Sequence, residues 1–257
     1  MIYRFTGDPD GWSPNGNLVF DKAGNLYGTT VSGGAYGYGT VFELTPSNGG
    51  WTEKVIYSFT GGSDGATPTT LLVGHDGNLY GTAANNFFQL APTGGGWTLQ
   101  VLDNLGYLAS PLSDLVQDSS GNLYAIGTIT WYGYLGSPIP TGIIVKVSYG
   151  DWGLTTIAIA EDIYYVDYGY QLFYDLAIDA TDQLYISAGA MEHAEHLDYY
   201  GNIFRVDTQW PWEVHTLVGF RADHFQDLEV DASGKLYGTT SACGSNQGTV
   251  WQLTPQQ

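Results

Sequence analysis

The sequence predicts an all-β protein: one five-bladed β-propeller domain over residues 1–257, with four antiparallel strands to a blade. Three observations predict it. A Leu-Tyr step recurs at Tyr27, Tyr80, Tyr124, Tyr185 and Tyr237, at intervals of 53, 44, 61 and 52 residues, a period that suits strand-only propeller units. No stretch carries a sustained helical apolar period, whereas β-branched and aromatic runs alternate with Gly, Asn, Asp and Pro clusters. Finally, the two ends together complete one unit. Ile2-Tyr3-Arg4-Phe5-Thr6-Gly7 lines up without a gap on Ile56-Tyr57-Ser58-Phe59-Thr60-Gly61, fifty-four residues on. At the other end Gly234–Thr240 and Gly248–Pro255 restate Gly24–Thr30 and Gly39–Pro46.

Blade one reads as strands over Asn17–Phe20, Leu26–Thr30, Thr40–Leu44 and Glu53–Phe59. Blade five takes its first three strands from Gln226–Leu253 and its outermost from Ile2–Phe5, so the N-terminal strand is expected to close the ring and cover the edges. Between the first two strands the chain repeats Asp21-Lys22-Ala23-Gly24-Asn25, Asp118-Ser119-Ser120-Gly121-Asn122 and Asp231-Ala232-Ser233-Gly234-Lys235. An aspartate there can cap turn amides, which makes these carboxylates structural. Trp51, Trp97, Trp152 and Trp212 each open a fourth strand and are expected to pack between blades.

Three segments carry a family resemblance: Gly-Asn-Leu-Tyr-Gly-Thr-Thr at 24–30, Gly-Gly-Ala-Tyr-Gly-Tyr-Gly-Thr-Val-Phe-Glu-Leu-Thr-Pro at 33–46, and Tyr-Ser-Phe-Thr-Gly-Gly-Ser-Asp-Gly-Ala-Thr-Pro at 57–68. They resemble the bacterial "Gloeo-Verruco" type propeller repeat, specifically in blades one and five and more faintly elsewhere. The resemblance implies a propeller, often from exported bacterial proteins, and brings no catalytic residues with it. A secreted or cell-surface location is therefore expected, although residues 1–20 lack the basic-then-apolar pattern of a signal peptide.

Composition narrows the partners. Twenty-six carboxylates against seven basic side chains give a net charge of −19, which argues against nucleic acid and against anionic membrane surfaces. A single cysteine, Cys243, excludes an intramolecular disulfide framework. A monomer that takes a glycan or another neutral polar ligand, with a divalent metal as an open question, fits these limits.

Strand order assigns the site. The loops after strands two and four emerge on one face of a blade and are long here, while those after strands one and three are short and repetitive, so function is assigned to the first face. Blades three and four depart most from the repeat there. Three constellations could carry chemistry. Trp131, Tyr132, Tyr165, Tyr168 and Tyr199, with neighbouring carboxylates, suit lectin-like stacking on sugar rings. His193, His196 and His224 match the ligand count of an open metal site, against the plainer reading as surface histidines. Asp114, Asp175 and Asp227, at the start of successive innermost strands, are placed as the catalytic carboxylates of a hydrolase should be, against a structural role in bonding backbone amides. Glycan binding is the leading reading. A metal-assisted or carboxylate-dependent hydrolase is the alternative, and a plain interaction scaffold the third.

Overall fold

Twenty strands and no helix make up the described residues of the computed structural model. It describes the whole chain except 85, 105, 107–109, 112–114, 133–137, 160–169, 192–198, 209–211, 222–224, 244–246 and 256–257, and gives only the backbone of several strand ends beside these segments. The chain falls into two units, Met1–Gly106 and Tyr107–Gln257.

Unit one holds two four-stranded antiparallel sheets in sequential order. Blade one is β1 (Trp12–Phe20), β2 (Leu26–Ser32), β3 (Thr40–Ser47) and β4 (Gly50–Ser58), and blade two is β5 (Pro68–Val73), β6 (Leu79–Ala83), β7 (Asn86–Thr93) and β8 (Gly96–Asn104). Their facing sides share one core, in which Tyr27, Val41, Ile56 and Phe59 meet Leu71, Leu79, Phe88 and Leu90.

In unit two, blade three comprises β9 (Ser110–Pro111), β10 (Val116–Gln117), β11 (Leu123–Tyr132), β12 (Pro138–Val147) and β13 (Leu154–Ile159). Blade four is β14 (Tyr170–Ile178), β15 (Leu184–Met191), β16 (Tyr199–Val206) and β17 (Val214–Arg221). The last sheet is β18 (Phe225–Val230), β19 (Leu236–Cys243) and β20 (Gln247–Leu253). Tyr124, Ile126 and Ile144 pack on Phe173, Leu184 and Phe204 between blades three and four, while Ala177, Tyr185 and Ile203 pack on Leu228 and Leu236 between blade four and the last sheet.

One device repeats at the first turn of every blade. The Oδ1 atom of Asp21 accepts the amides of Ala23 and Asn25 at 2.8 and 2.9 Å, and its Oδ2 accepts the Tyr27 hydroxyl at 3.1 Å. Asp118 with Tyr124, Asp179 with Tyr185 and Asp231 with Tyr237 do the same, with hydroxyl distances of 2.9, 3.1 and 3.1 Å. Blade two has Gly74 at the aspartate position, and the carboxylate moves two residues on: Asp76 accepts Tyr80 at 2.7 Å. The aspartates are structural as expected; the tyrosine of each Leu-Tyr step is what they hold.

A second device joins blades within unit one. Tyr57 donates to Asp64 at 3.0 Å, the Thr60 amide and hydroxyl donate to the same carboxylate, and Phe59 lies edge-on to Phe88 of the next blade at 5.3 Å. The N-terminal segment repeats this contact for contact. Tyr3 donates to Asp10 at 2.9 Å, the Thr6 amide to Asp10 at 2.9 Å, and Phe5 lies edge-on to Phe42 at 4.9 Å, over Leu26, Leu44 and Trp51.

Two expectations change in detail. Residues 1–6 form no backbone ladder, so Ile2–Phe5 keep the repeat's side-chain packing without being a strand, and the last sheet has three strands. Val250 on β20 is 83% exposed, whereas Val41, at the same repeat position, is 0% exposed within the core that blades one and two share. The tryptophans also divide. Trp51, Trp97 and Trp212 pack on the cores, while Trp152 sits at positive φ in a hairpin turn with its ring against Tyr149.

The Asp–Tyr pairs set the pH limits of the fold. Burial is the largest single influence on Asp21 and Asp179 and pushes them up, but hydrogen bonds from neighbouring amides, side chains and the tyrosine together bring both below the usual range. The Ser233 hydroxyl, ahead of the Lys235 amide, draws Asp231 down to about 2. Burial first, and the carboxylate next, push Tyr80 and Tyr185 up to about 12. The lowered carboxylates stabilise the fold above their unfolded pKa of about 4, a contribution that fades as pH falls from about 4 toward 2. The raised tyrosines contribute fully below about 10 and cease to as pH rises toward 12.

A melting-temperature profile should therefore fall on both flanks, and Tyr80→Phe should shrink the alkaline fall. Tyr124→Phe, which leaves the Asp118 carboxylate without its buried donor, is expected to cost about 2 kcal/mol in urea unfolding. Phe5→Ala should cost about 2 kcal/mol, because Phe42, Leu26 and Leu44 lose their cover; an unchanged urea midpoint would show that the N-terminal segment does not hold the blade.

Candidate functional site

The described residues place a shaped surface on the face assigned from strand order, and it belongs to blade one. The loop from β2 to β3 and the turn Gly7–Gly11 ahead of β1 border a depression of about 560 Å³ lined by Asp8, Pro9, Gly34, Ala35, Tyr36 and Gly37. Both loops are internally bonded. The Gly11 amide donates to Gly7 at 2.6 Å, Gly37 to Gly34 at 3.3 Å and Gly39 to Gly33 at 3.1 Å. The Ala35 amide reaches the Ser58 hydroxyl at 3.3 Å, and the Tyr38 carbonyl accepts the Thr67 amide at 2.9 Å.

Three aromatic rings stand out of this surface: Trp12, Tyr36 and Tyr38 are 59, 60 and 48% exposed. Glycines seat two of them. Gly7, at φ +111°, leaves the room that the Trp12 indole occupies, and a methyl there would overlap Trp12 Nε1. Gly61, at φ +74°, does the same for Tyr38, whose ring would lie 2.6 Å from an added Cβ. Tyr36 lies close enough to Tyr57 to add, after burial and Asp64, to the rise of the Tyr57 hydroxyl to about 12. Asp8 is exposed, and none of the residues lining the depression is basic. Half-exposed rings on or next to the segments that border this hollow can stack on an apolar face of a ligand while hydroxyls and Asp8 accept or donate at its edge.

The sequence-assigned residues fare differently. Tyr165, Tyr168, His193, His196, His224 and Asp114 lie outside the described residues. For Trp131, Tyr132 and Tyr199 the backbone is described: the ladders run on to Trp131↔Ile139, Tyr132↔Pro138 and Met191↔Tyr199. The strands thus run into the ends of the expected loops, as β-branched and aromatic residues at 128–132 favour. Asp175 stitches blades together, its Oδ1 accepting the Leu176 amide at 2.7 Å and its Oδ2 the Leu228 amide of the next innermost strand at 2.5 Å. Asn17, at the same repeat position, accepts the Leu71 amide at 3.0 Å and donates to the Leu71 carbonyl at 2.7 Å. Asp227 is exposed, at φ +52° in a bulge of β18.

Among the described residues, one group has donor atoms close enough to share a cation: Asp207, Glu213 and His215, within 4.8 Å of one another. His215 Nε2 lies 3.4 Å from Asp207 and 3.8 Å from Glu213, the geometry of a hairpin ion pair, and Arg205 stands directly across from His215 in the ladder. This hairpin joins strands three and four, so it lies away from the assigned face. The rings of blade one were missed because their loop reads as plain repeat. The available signal was Ala35-Tyr36-Gly37-Tyr38-Gly39, two aromatics in a glycine loop with no apolar neighbour in sequence to pack on.

Repeated strand-only blades, each turned at an Asp–Tyr pair, define the class: the fold is that of a five-bladed β-propeller. Within that class the chain belongs to the Gloeobacter/Verrucomicrobia repeat family, whose profile matches residues 1–133, just over half of its length. No curated protein matches it. Among solved structures it is similar to a polysaccharide lyase, an ulvan lyase bound to a glucuronate–rhamnose-3-sulfate unit, at 12% identity and a TM-score of 0.58, over 98% of this chain and 69% of that one. It is also similar to a gluconolactonase from Xanthomonas campestris at 12% identity and TM-score 0.53, over 96% and 77% of the two chains. A chain of a nidogen/laminin complex aligns at 18% identity and TM-score 0.54, over 88% and 72%. At such identities these likenesses concern the fold.

Gly7→Ala tests how the site is built. It should displace the Trp12 ring, seen as a shift in tryptophan fluorescence, and cost roughly 1–2 kcal/mol of stability through strain at positive φ. A spectrum and urea midpoint identical to the parent would mean that glycine does not seat the indole.

Proposed function

We propose that this protein is a carbohydrate-binding propeller module that takes neutral saccharides on the face formed by the strand two-to-three and blade-to-blade loops. The observation that carries the reading is the set of half-exposed rings on blade one: Tyr36 lines the depression, while Trp12 and Tyr38 adjoin the segments that border it, each seated on a glycine. Exposed aromatics cost solubility unless something covers them, and sugars offer C–H faces for stacking with hydroxyls at the rim. Two further considerations support it. The charge of −19 disfavours polyanions, and no basic side chain lines the depression. Several solved propellers of similar fold also act on sugars or sugar lactones, the ulvan lyase and the gluconolactonase among them.

The reading extends, within the second unit, to Trp131, Tyr132, Tyr165, Tyr168 and Tyr199, which the sequence assigns to ligand contact in blades three and four. Binding is preferred to hydrolysis because Asp175, the one member of the proposed catalytic arc with described polar contacts, is engaged with two backbone amides.

The test is a screen of neutral oligosaccharides followed by calorimetric titration of the best binder. Trp12→Ala and Tyr36→Ala should each weaken binding about five- to tenfold, the loss of one stacking ring, while the melting temperature stays within a degree or two. Parallel loss of fold and affinity would recast the rings as packing residues. Turnover of the bound saccharide would favour the hydrolase instead.

A further inference from the structure

The depression of blade one carries a charge pattern that the saccharide reading alone does not need. Its lining offers one carboxylate, Asp8, and no basic side chain. Unit one as a whole has eight carboxylates against three basic residues, Arg4, Lys22 and Lys54. Lys54 stands across the β3–β4 ladder from Glu43, and Lys22 sits in the turn before β2, at the end of the blade opposite the depression. Most other carboxylates of the unit are already occupied by tyrosine hydroxyls and turn amides: Asp10, Asp21, Asp64 and Asp76 all accept such bonds. Asp8 is exposed beside Gly7, on which Trp12 rests, and beside the hollow that Tyr36 borders.

A carboxylate at the edge of aromatic faces is the arrangement that receives a protonated amine. The carboxylate supplies the ion pair, the ring faces attract the cation through their quadrupole, and the negative field of the chain raises its local concentration. The same pattern repels uronates and sulfated sugars.

We propose that this site prefers saccharides bearing free amino groups, β-linked glucosamine oligomers being the chemical type, over their N-acetylated or acidic counterparts. The inference rests on the saccharide reading and adds the role of Asp8 as the residue that sets the charge preference.

The experiment titrates the intact protein at about pH 6, below the ordinary range of amines, and at low salt, with a glucosamine tetramer, the N-acetylglucosamine tetramer, a galacturonate oligomer and spermidine. The free-amine tetramer should bind about fivefold tighter than its N-acetylated form and the galacturonate oligomer should not bind measurably. Asp8→Asn, or salt at about 0.5 M, should bring the ratio of the two tetramers to within about twofold. Equal affinity for the two tetramers, or a preference that survives in Asp8→Asn, overturns the proposal while leaving saccharide binding intact. Spermidine binding as tightly as the glucosamine tetramer, or binding of neither tetramer, overturns this inference, whereas the saccharide reading falls only if the screen of neutral oligosaccharides finds no binder.

Discussion

A tyrosine hydroxyl drawn into the interior of a blade has to find an acceptor there, and that requirement fixes the same corner of the chain in four blades, with the half-exposed Tyr237 keeping the same bond in the fifth. Tyr27, Tyr80, Tyr124, Tyr185 and Tyr237 all donate to an aspartate in the turn just before their strand. The aspartate is already holding turn amides, so one carboxylate sets both the turn and the depth of the strand that follows. Blade two shows that the bond matters more than the sequence position. Where the usual aspartate is Gly74, Asp76 enters from two residues further on and reaches the same hydroxyl. An unpaired buried hydroxyl costs more than a displaced turn.

Adjacent blades are then tied by contacts of a different kind. Asn17 and Asp175 occupy one repeat position, and each accepts the amide of a leucine on the next innermost strand, Leu71 and Leu228. An amide side chain and a carboxylate serve the same backbone donor, which explains why the position tolerates Asn in one blade and Asp in another. A polar residue there reads equally well as a catalytic group or as a stitch. The difference lies in whether its oxygens are free, and for Asp175 they are engaged.

The blade-one surface follows from the second repeated device. Asp10 and Asp64 gather the Tyr, Thr and amide donors of Tyr3-Arg4-Phe5-Thr6 and Tyr57-Ser58-Phe59-Thr60, and this pins the start of each following loop. Trp12 follows directly on the turn that Asp10 holds, and a ring placed in that way need not reorganise on binding, so less of the interaction with a ligand is lost to ordering side chains. Glycine at 7 and 61 is part of the same construction, since only the absence of a side chain lets an indole or phenol lie on the backbone.

Strand-only blades, their number, the first turns and the structural part of the turn aspartates were all legible in the sequence, because alternation, turn chemistry and a repeat period are local properties. The equivalence of Ile2–Phe5 with Ile56–Phe59 was legible too, and its side-chain half appears as Phe5 on Phe42. What the linear pattern could not decide is where each polar atom finds its partner. Asp175 reads the same whether it faces an open channel or the Leu228 amide, and Tyr36 and Tyr38 look like repeat filler until the glycine loop is seen to leave them uncovered. Burial and hydrogen-bond partnership are set by residues fifty or more positions away, as Asn17 with Leu71 and Asp175 with Leu228 show, so only the tertiary structure could separate the residues that hold the blades from those left facing solvent.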